Sequence, residues 1–234
     1  MFTWAISIGL LVLIASMLVP IGPVVFVVLM PAITVMTLNA CRDIEAGTPV
    51  QPFRLWRLMG QPAGRRLLVA GVVYVLAILL AGFAAFLPFM GSIREAAADL
   101  IDPGQPQSMM ALVEAVRTPL FVFGLLYLVI AALFWHAPVL VAWHGLELRK
   151  ALFFSGIACW RNKGAFLVYG MVWAALIAIL EFAAVLLHGV GIPREIVGLV
   201  QMPVSFVLAA GLYCSFYPTY TTVFGSPPEG SGTP

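Results

Sequence analysis

The stretch LLVAGVVYVLAILLAGFAAFLPFM, residues 67–90, contains no Asp, Glu, Lys or Arg. Wound as an α-helix at about 1.5 Å per residue it reaches about 36 Å, enough to cross the roughly 30 Å hydrocarbon core of a bilayer. Its apolar residues run without the period-2 alternation of a membrane β-barrel strand. In hydrocarbon each span must satisfy its own backbone N–H and C=O groups, so this stretch reads as a transmembrane helix. Outward from it, residues 2–19, 24–41, 120–144, 164–188 and 196–224 read the same way. The expected fold class is all-α: a polytopic transmembrane helical bundle of about six spans forming one domain, residues 1–224. Composition points the same way. Of 234 residues, 62% are apolar and 9% charged, against roughly 25% charged in a soluble domain.

The loops set an expected orientation. Arg42, Arg54, Arg57, Arg65 and Arg66 fall between the second and third spans, and Arg149, Lys150, Arg161 and Lys163 between the fourth and fifth. Only Arg94, Arg117 and Arg194 fall on the other side. Lys and Arg favour the cytoplasmic side, so both termini are expected inside, in a bacterial inner membrane. Residues 2–19 are expected to stay as a span, because no Lys or Arg precedes Arg42 to form the basic start of a signal peptide. A net charge of +2 spread over loops gives no nucleic-acid face. Three cysteines, an odd number, give no disulfide framework.

The basic loops themselves have helical spacing. Phe53, Trp56 and Met59 recur around Arg54 and Arg57; Phe153, Ile157 and Trp160 recur in residues 151–163. Both read as helices at the headgroup level, with Arg54, Arg57, Arg65 and Arg66 as lipid headgroup contacts. The alternative is that each forms the first turns of the next span. In the outer loop, residues 91–119, Ser92 to Glu95 fits a capping box. Asp102-Pro103-Gly104 is a break, and Met109, Leu112, Val113 and Val116 form a second apolar stripe. Two short amphipathic helices are expected there. Residues 225–234, rich in Gly, Pro and Ser, are expected to be a disordered cytoplasmic tail.

The chain also repeats itself weakly. LMPAITV (29–35), HAPVLVA (136–142) and QMPVSFV (201–207) align on their prolines. LLVAG (67–71) parallels FLVYG (166–170). The unit is an interfacial helix plus a helical hairpin, used three times, and related prolines are expected to kink the even-numbered spans alike. APVLVAWHG (137–145), KALFFS (150–155) and ACWRN (158–162), with ACR (40–42) and YCSFY (213–217), are similar to an uncharacterised six-span family of bacterial inner-membrane proteins. More distantly the repeat looks like that of families named after the membrane domain of glycerophosphodiester phosphodiesterases. The resemblance covers most of residues 24–224 and implies a topology, not a chemistry. Members usually carry an Arg-bearing amphipathic helix before the first span, whereas here that span begins at Phe2.

Ionisable groups inside spans are costly and are candidate functional residues. Glu181 and His136 qualify, with His144 nearer an edge. Counting along the helices at about 1.5 Å per residue puts Glu181 level with Tyr127 and Gln201, and His136 level with Tyr213, with Asn39, Tyr169 and Cys214 slightly deeper. Two polar layers are expected. They read either as half-sites on a solute or proton path, or as interhelical hydrogen bonds worth about 0.6 kcal/mol each. Cys41, Cys159, Cys214 and His144 have no C-x-x-C spacing, so no metal is expected. No Walker loop, G-x-S-x-G or H-E-x-x-H is present. The expectation is a non-enzymatic, cofactor-free membrane protein that contacts lipids and packs on a membrane-protein partner or on itself. A small-solute or proton-coupled permease and a lipid-interacting protein are the alternatives.

Overall fold

The computed structural model describes residues 21–48, 54–98 and 106–225, and every regular element in them is helical. The chain order is α1 (Ile21–Glu45), α2 (Arg54–Gly60), α3 (Pro62–Phe86), a 3₁₀ turn at Leu87–Phe89, α4 (Met90–Ala98), α5 (Pro106–Phe134), α6 (Ala137–Trp143), α7 (Leu148–Arg161), α8 (Lys163–Gly189) and α9 (Arg194–Phe224). Five stretches among the described residues are long and apolar enough to cross a membrane: Gly22–Glu45, Pro62–Ala98, Met109–Trp143, Lys163–Gly189 and Arg194–Phe224. The expected first span, residues 2–19, and most of the expected tail lie outside the described residues.

The exterior is apolar because lipid faces it. Leu80, Phe83, Leu199 and Val207 are all more than three-fifths exposed. The core is correspondingly small and lies toward the Arg-bearing end. Ala32, Val35 and Leu38 of α1, Leu67 of α3, Ala151 of α7 and Tyr220 of α9 close around the short helix α6. α1 and α3 pack directly on each other, and they meet at Gly71, where a side chain would strike the Val28 backbone. Such approach through a small residue is the usual basis of helix association in lipid, where dispersion replaces the hydrophobic effect. After α6 the chain reverses through Gly145 at φ 62°, which lets the Leu146 N–H reach back to the Leu140 carbonyl at 3.4 Å.

The structure differs from the sequence reading at three places. The outer loop does not hold two separate short helices. α4 runs on from α3 through a 3₁₀ turn, and the stripe Met109 to Val116 belongs to α5, which passes through Pro119 without stopping. Ser92 lies inside α4 and caps nothing. The three related prolines do not act alike. Pro31 and Pro203 sit inside continuous helices, whereas the fourth span breaks into α5 and α6 just before Pro138. Elsewhere the reading agrees: α7 ends at Arg161 before α8 begins at Lys163, so the second basic loop carries a helix of its own, as the spacing of Phe153, Ile157 and Trp160 predicts.

Candidate functional site

A proline ring collides with the carbonyl four residues earlier. For Pro138 that residue is Phe134, the last of α5. In an unbroken helix the His136 N–H would bond the Ala132 carbonyl. Here the Ser155 hydroxyl of α7 stands between them, accepting from the His136 N–H at 2.9 Å and donating to the Ala132 carbonyl at 2.9 Å. Cys159 Sγ, one turn further along α7, donates to the same carbonyl at 3.4 Å. Burial pushes the Cys159 thiol up to about 11, against a smaller lowering by its hydrogen bond with Ser155. It therefore keeps its proton, and its donor role, at neutral pH. Ser155 is fully buried. Ser155→Ala would leave the His136 N–H in apolar surroundings without a partner, at a cost of about 1–3 kcal/mol. Chemical unfolding in detergent measures this; unaltered stability would mean that the helix recloses on itself.

His136 is buried against the rings of Phe166, Tyr220 and Phe224, at centroid distances of 5.8, 6.3 and 5.2 Å. Its Nε2 has no hydrogen-bond partner. Tyr213 and Asn39 each have a partner on another helix. Tyr213 Oη donates to Met30 Sδ at 2.9 Å, and Asn39 Oδ1 accepts from Trp143 Nε1 at 2.9 Å. His144 Nε2 lies 2.6 Å from Tyr220 Oη. The residues expected at this level therefore join neighbouring helices pairwise.

The other expected level divides too. Gln201 Nε2 of α9 donates to Glu181 Oε1 of α8 at 3.0 Å. Tyr127 of α5 is elsewhere, its hydroxyl 3.2 Å from that of Tyr74 on α3. Depth along a helix gives a level but not a direction: α8 packs on α9 and on α7, while α5 packs on α3. Of the expected headgroup arginines, Arg66 donates to the Gly145 carbonyl at 3.1 Å, Arg57 and Arg65 are exposed, and Arg54 opens α2. Cys41 and Cys214 are hydrogen-bonded neighbours of each other, whereas Cys159 belongs to the helix break. Among the described residues no group of three His, Cys, Asp or Glu side chains is placed to hold a metal.

Tyr74 and Tyr127 open onto a cavity of about 380 Å³ between α1, α3, α5 and α9. Met30 and Pro31 line one side, Phe134, Trp135 and Pro138 the helix break, and Tyr213 and Phe216 the far wall. The indole N–H of Trp135 is buried and has no hydrogen-bond partner. Among the described residues no charged side chain lines this space. Tyr74, Trp135 and Ser155 carry no signal of their own in the sequence. Ser155 would have emerged only from asking which side chain could satisfy the backbone groups that the break before Pro138 leaves open.

Several long apolar helices with lipid-facing exteriors, joined pairwise by a few polar bonds, define a multi-pass α-helical membrane protein. The chain is 37% identical over 231 residues to the "probable inner membrane protein BTH_II0599" of Burkholderia thailandensis, an alignment covering 94% of this chain and 83% of that protein. It belongs to the family of that protein. No family model matches the chain, and no solved structure matches it.

Proposed function

We propose that this chain is a non-enzymatic assembly protein of the bacterial inner membrane, docking through its α8–α9 hairpin on a second copy of itself. The location rests on the relative's name together with the long apolar helices. The excess of Arg and Lys at one end supports a cytoplasmic position for that end and for both termini.

One observation carries the docking. α8 has no buried residue, yet it presents Glu181, bonded to Gln201, on a face that the bundle leaves uncovered. The pair lies about 12 Å along the helix from the hairpin turn, at hydrocarbon depth. A single bond leaves the second amide N–H, the amide oxygen and one carboxyl oxygen unsatisfied, and lipid offers them nothing. A two-fold axis beside the hairpin would bring the same pair from the second copy into register, amide against carboxyl. Gly198, Ser205 and Ala209 line a shallow groove with Gln201, which lets a helix approach closely. The permease reading has less support: neither Glu181 nor His136 lines the cavity between α1, α3, α5 and α9.

The measurement is the mass of the detergent-solubilised protein as it is diluted. A dimer is expected, and the double variant Glu181→Leu/Gln201→Leu should raise its dissociation constant about sevenfold or more, the two-fold axis supplying two such interhelical bonds at about 0.6 kcal/mol each. A wild type that is monomeric at all concentrations, or a dimer indifferent to the double variant, would overturn this reading.

A further inference from the structure

We infer that the cavity between α1, α3, α5 and α9 is a binding site for a neutral membrane lipophile that presents carbonyl oxygens. The chemistry of the wall selects this class. Among the described residues the cavity is lined by rings and aliphatic groups and by no Asp, Glu, Lys, Arg or His, so it excludes a charged headgroup, whose burial would be prohibitive. Its volume of about 380 Å³ lies within the roughly 300–1,000 Å³ of small-molecule sites.

The polar groups at its edge have hydrogens to give. The Tyr74 and Tyr127 hydroxyls face each other at 3.2 Å. In such a pair one hydroxyl donates to the other, and the acceptor's own proton is left to point outward. A phenolic proton in hydrocarbon with no acceptor costs stability that an oxygen-bearing guest would recover. Tyr74 lies about 18 Å from the start of α3, near mid-span, where the supply of guests is lipophilic. Tyr127 is 39% exposed, so the pair can be reached sideways from the bilayer. The backbone supports the same space from both sides: Pro31 and Pro138 line it, and each removes a helical N–H where a regular helix would run on.

Two kinds of molecule carry this chemistry, a quinone ring and the ester carbonyls of an uncharged glyceride. The experiment gives each to the full-length protein in nanodiscs, using decylubiquinone in one arm and dioleoylglycerol in the other. Binding is read by native mass spectrometry and, for the quinone, by quenching of tryptophan fluorescence. Saturable binding of the quinone alone would identify a ring site, binding of the glyceride alone an ester site, and mutual displacement a site that reads the carbonyl only. In each case Tyr74→Phe/Tyr127→Phe should weaken binding about tenfold, the scale of one donor lost in an apolar site, with the melting temperature held. Ala131→Trp, which fills the cavity, should abolish it; Ile78→Trp serves if that variant does not fold. Failure of both probes to bind, or binding that persists in the filled variant, would overturn the assignment. The outcome is independent of whether the protein dimerises.

Discussion

Gly71→Val is expected to separate α3 from α1 and to lower the unfolding free energy by about 3 kcal/mol, the upper range for overpacking a core. A Cβ at residue 71 would collide with the carbonyl oxygen, carbonyl carbon and Cα of Val28. These are backbone atoms of a neighbouring helix. They cannot rotate away as the end of a side chain can, so the helices themselves must part. Among the described helices α1 and α3 share the most extensive pairing, and the core residues Val35, Leu38 and Leu67 lie along it. Gly82, on the same helix, supplies the control. A Cβ there meets nothing within 4 Å, so Gly82→Ala should change stability by no more than about 1 kcal/mol, the helix propensity difference. Unfolding of both variants by sodium dodecyl sulfate, followed by circular dichroism, separates them. Equal stability of Gly71→Val and wild type would show that the two helices do not meet there.

Tyr220→Ala is expected to cost about 4 kcal/mol, as for other large buried rings. Tyr220 is fully buried at the centre of the core. Its ring lies edge-on to Trp143 at 4.9 Å and stacks on Phe224 at 5.4 Å, while its hydroxyl meets His144 Nε2 at 2.6 Å. Tyr220→Phe keeps the ring contacts and removes only the hydrogen bond, so it should cost about 1 kcal/mol. The ratio of the two losses is the informative quantity. If Phe is as damaging as Ala, the hydrogen bond to His144 and not the aromatic packing holds α9 against α6.

The spans were readable because hydrocarbon leaves one backbone solution, and an uncharged run such as residues 67–90 has no other use. Direction around a helix was less readable. Tyr127 and Glu181 share a level by rise along the axis, but level alone does not say that α5 faces α3 while α8 faces α9. The proline repeat shows a second limit. Pro31, Pro138 and Pro203 occupy matching positions, yet only the helix before Pro138 breaks. Among the described residues, it is at that position alone that a neighbouring hydroxyl, Ser155, takes over the interrupted backbone bond. Whether a proline bends or breaks a span thus depends on a residue far along the chain. Pro119 makes the converse point: the expected outer loop ran to residue 119, yet Pro119 is buried within α5 and does not end it.

The off-centre position of the core has a mechanical consequence. α6 and its neighbours hold the bundle at the Arg-bearing end, while α8, with no buried residue, is held along its length mainly by α9. A mismatch between helix length and bilayer thickness is relieved by tilting whatever is least constrained. In a thinner or thicker membrane the strain would collect in the α8–α9 pair, leaving the packed end undisturbed, so that membrane thickness itself becomes a variable to which the hairpin responds.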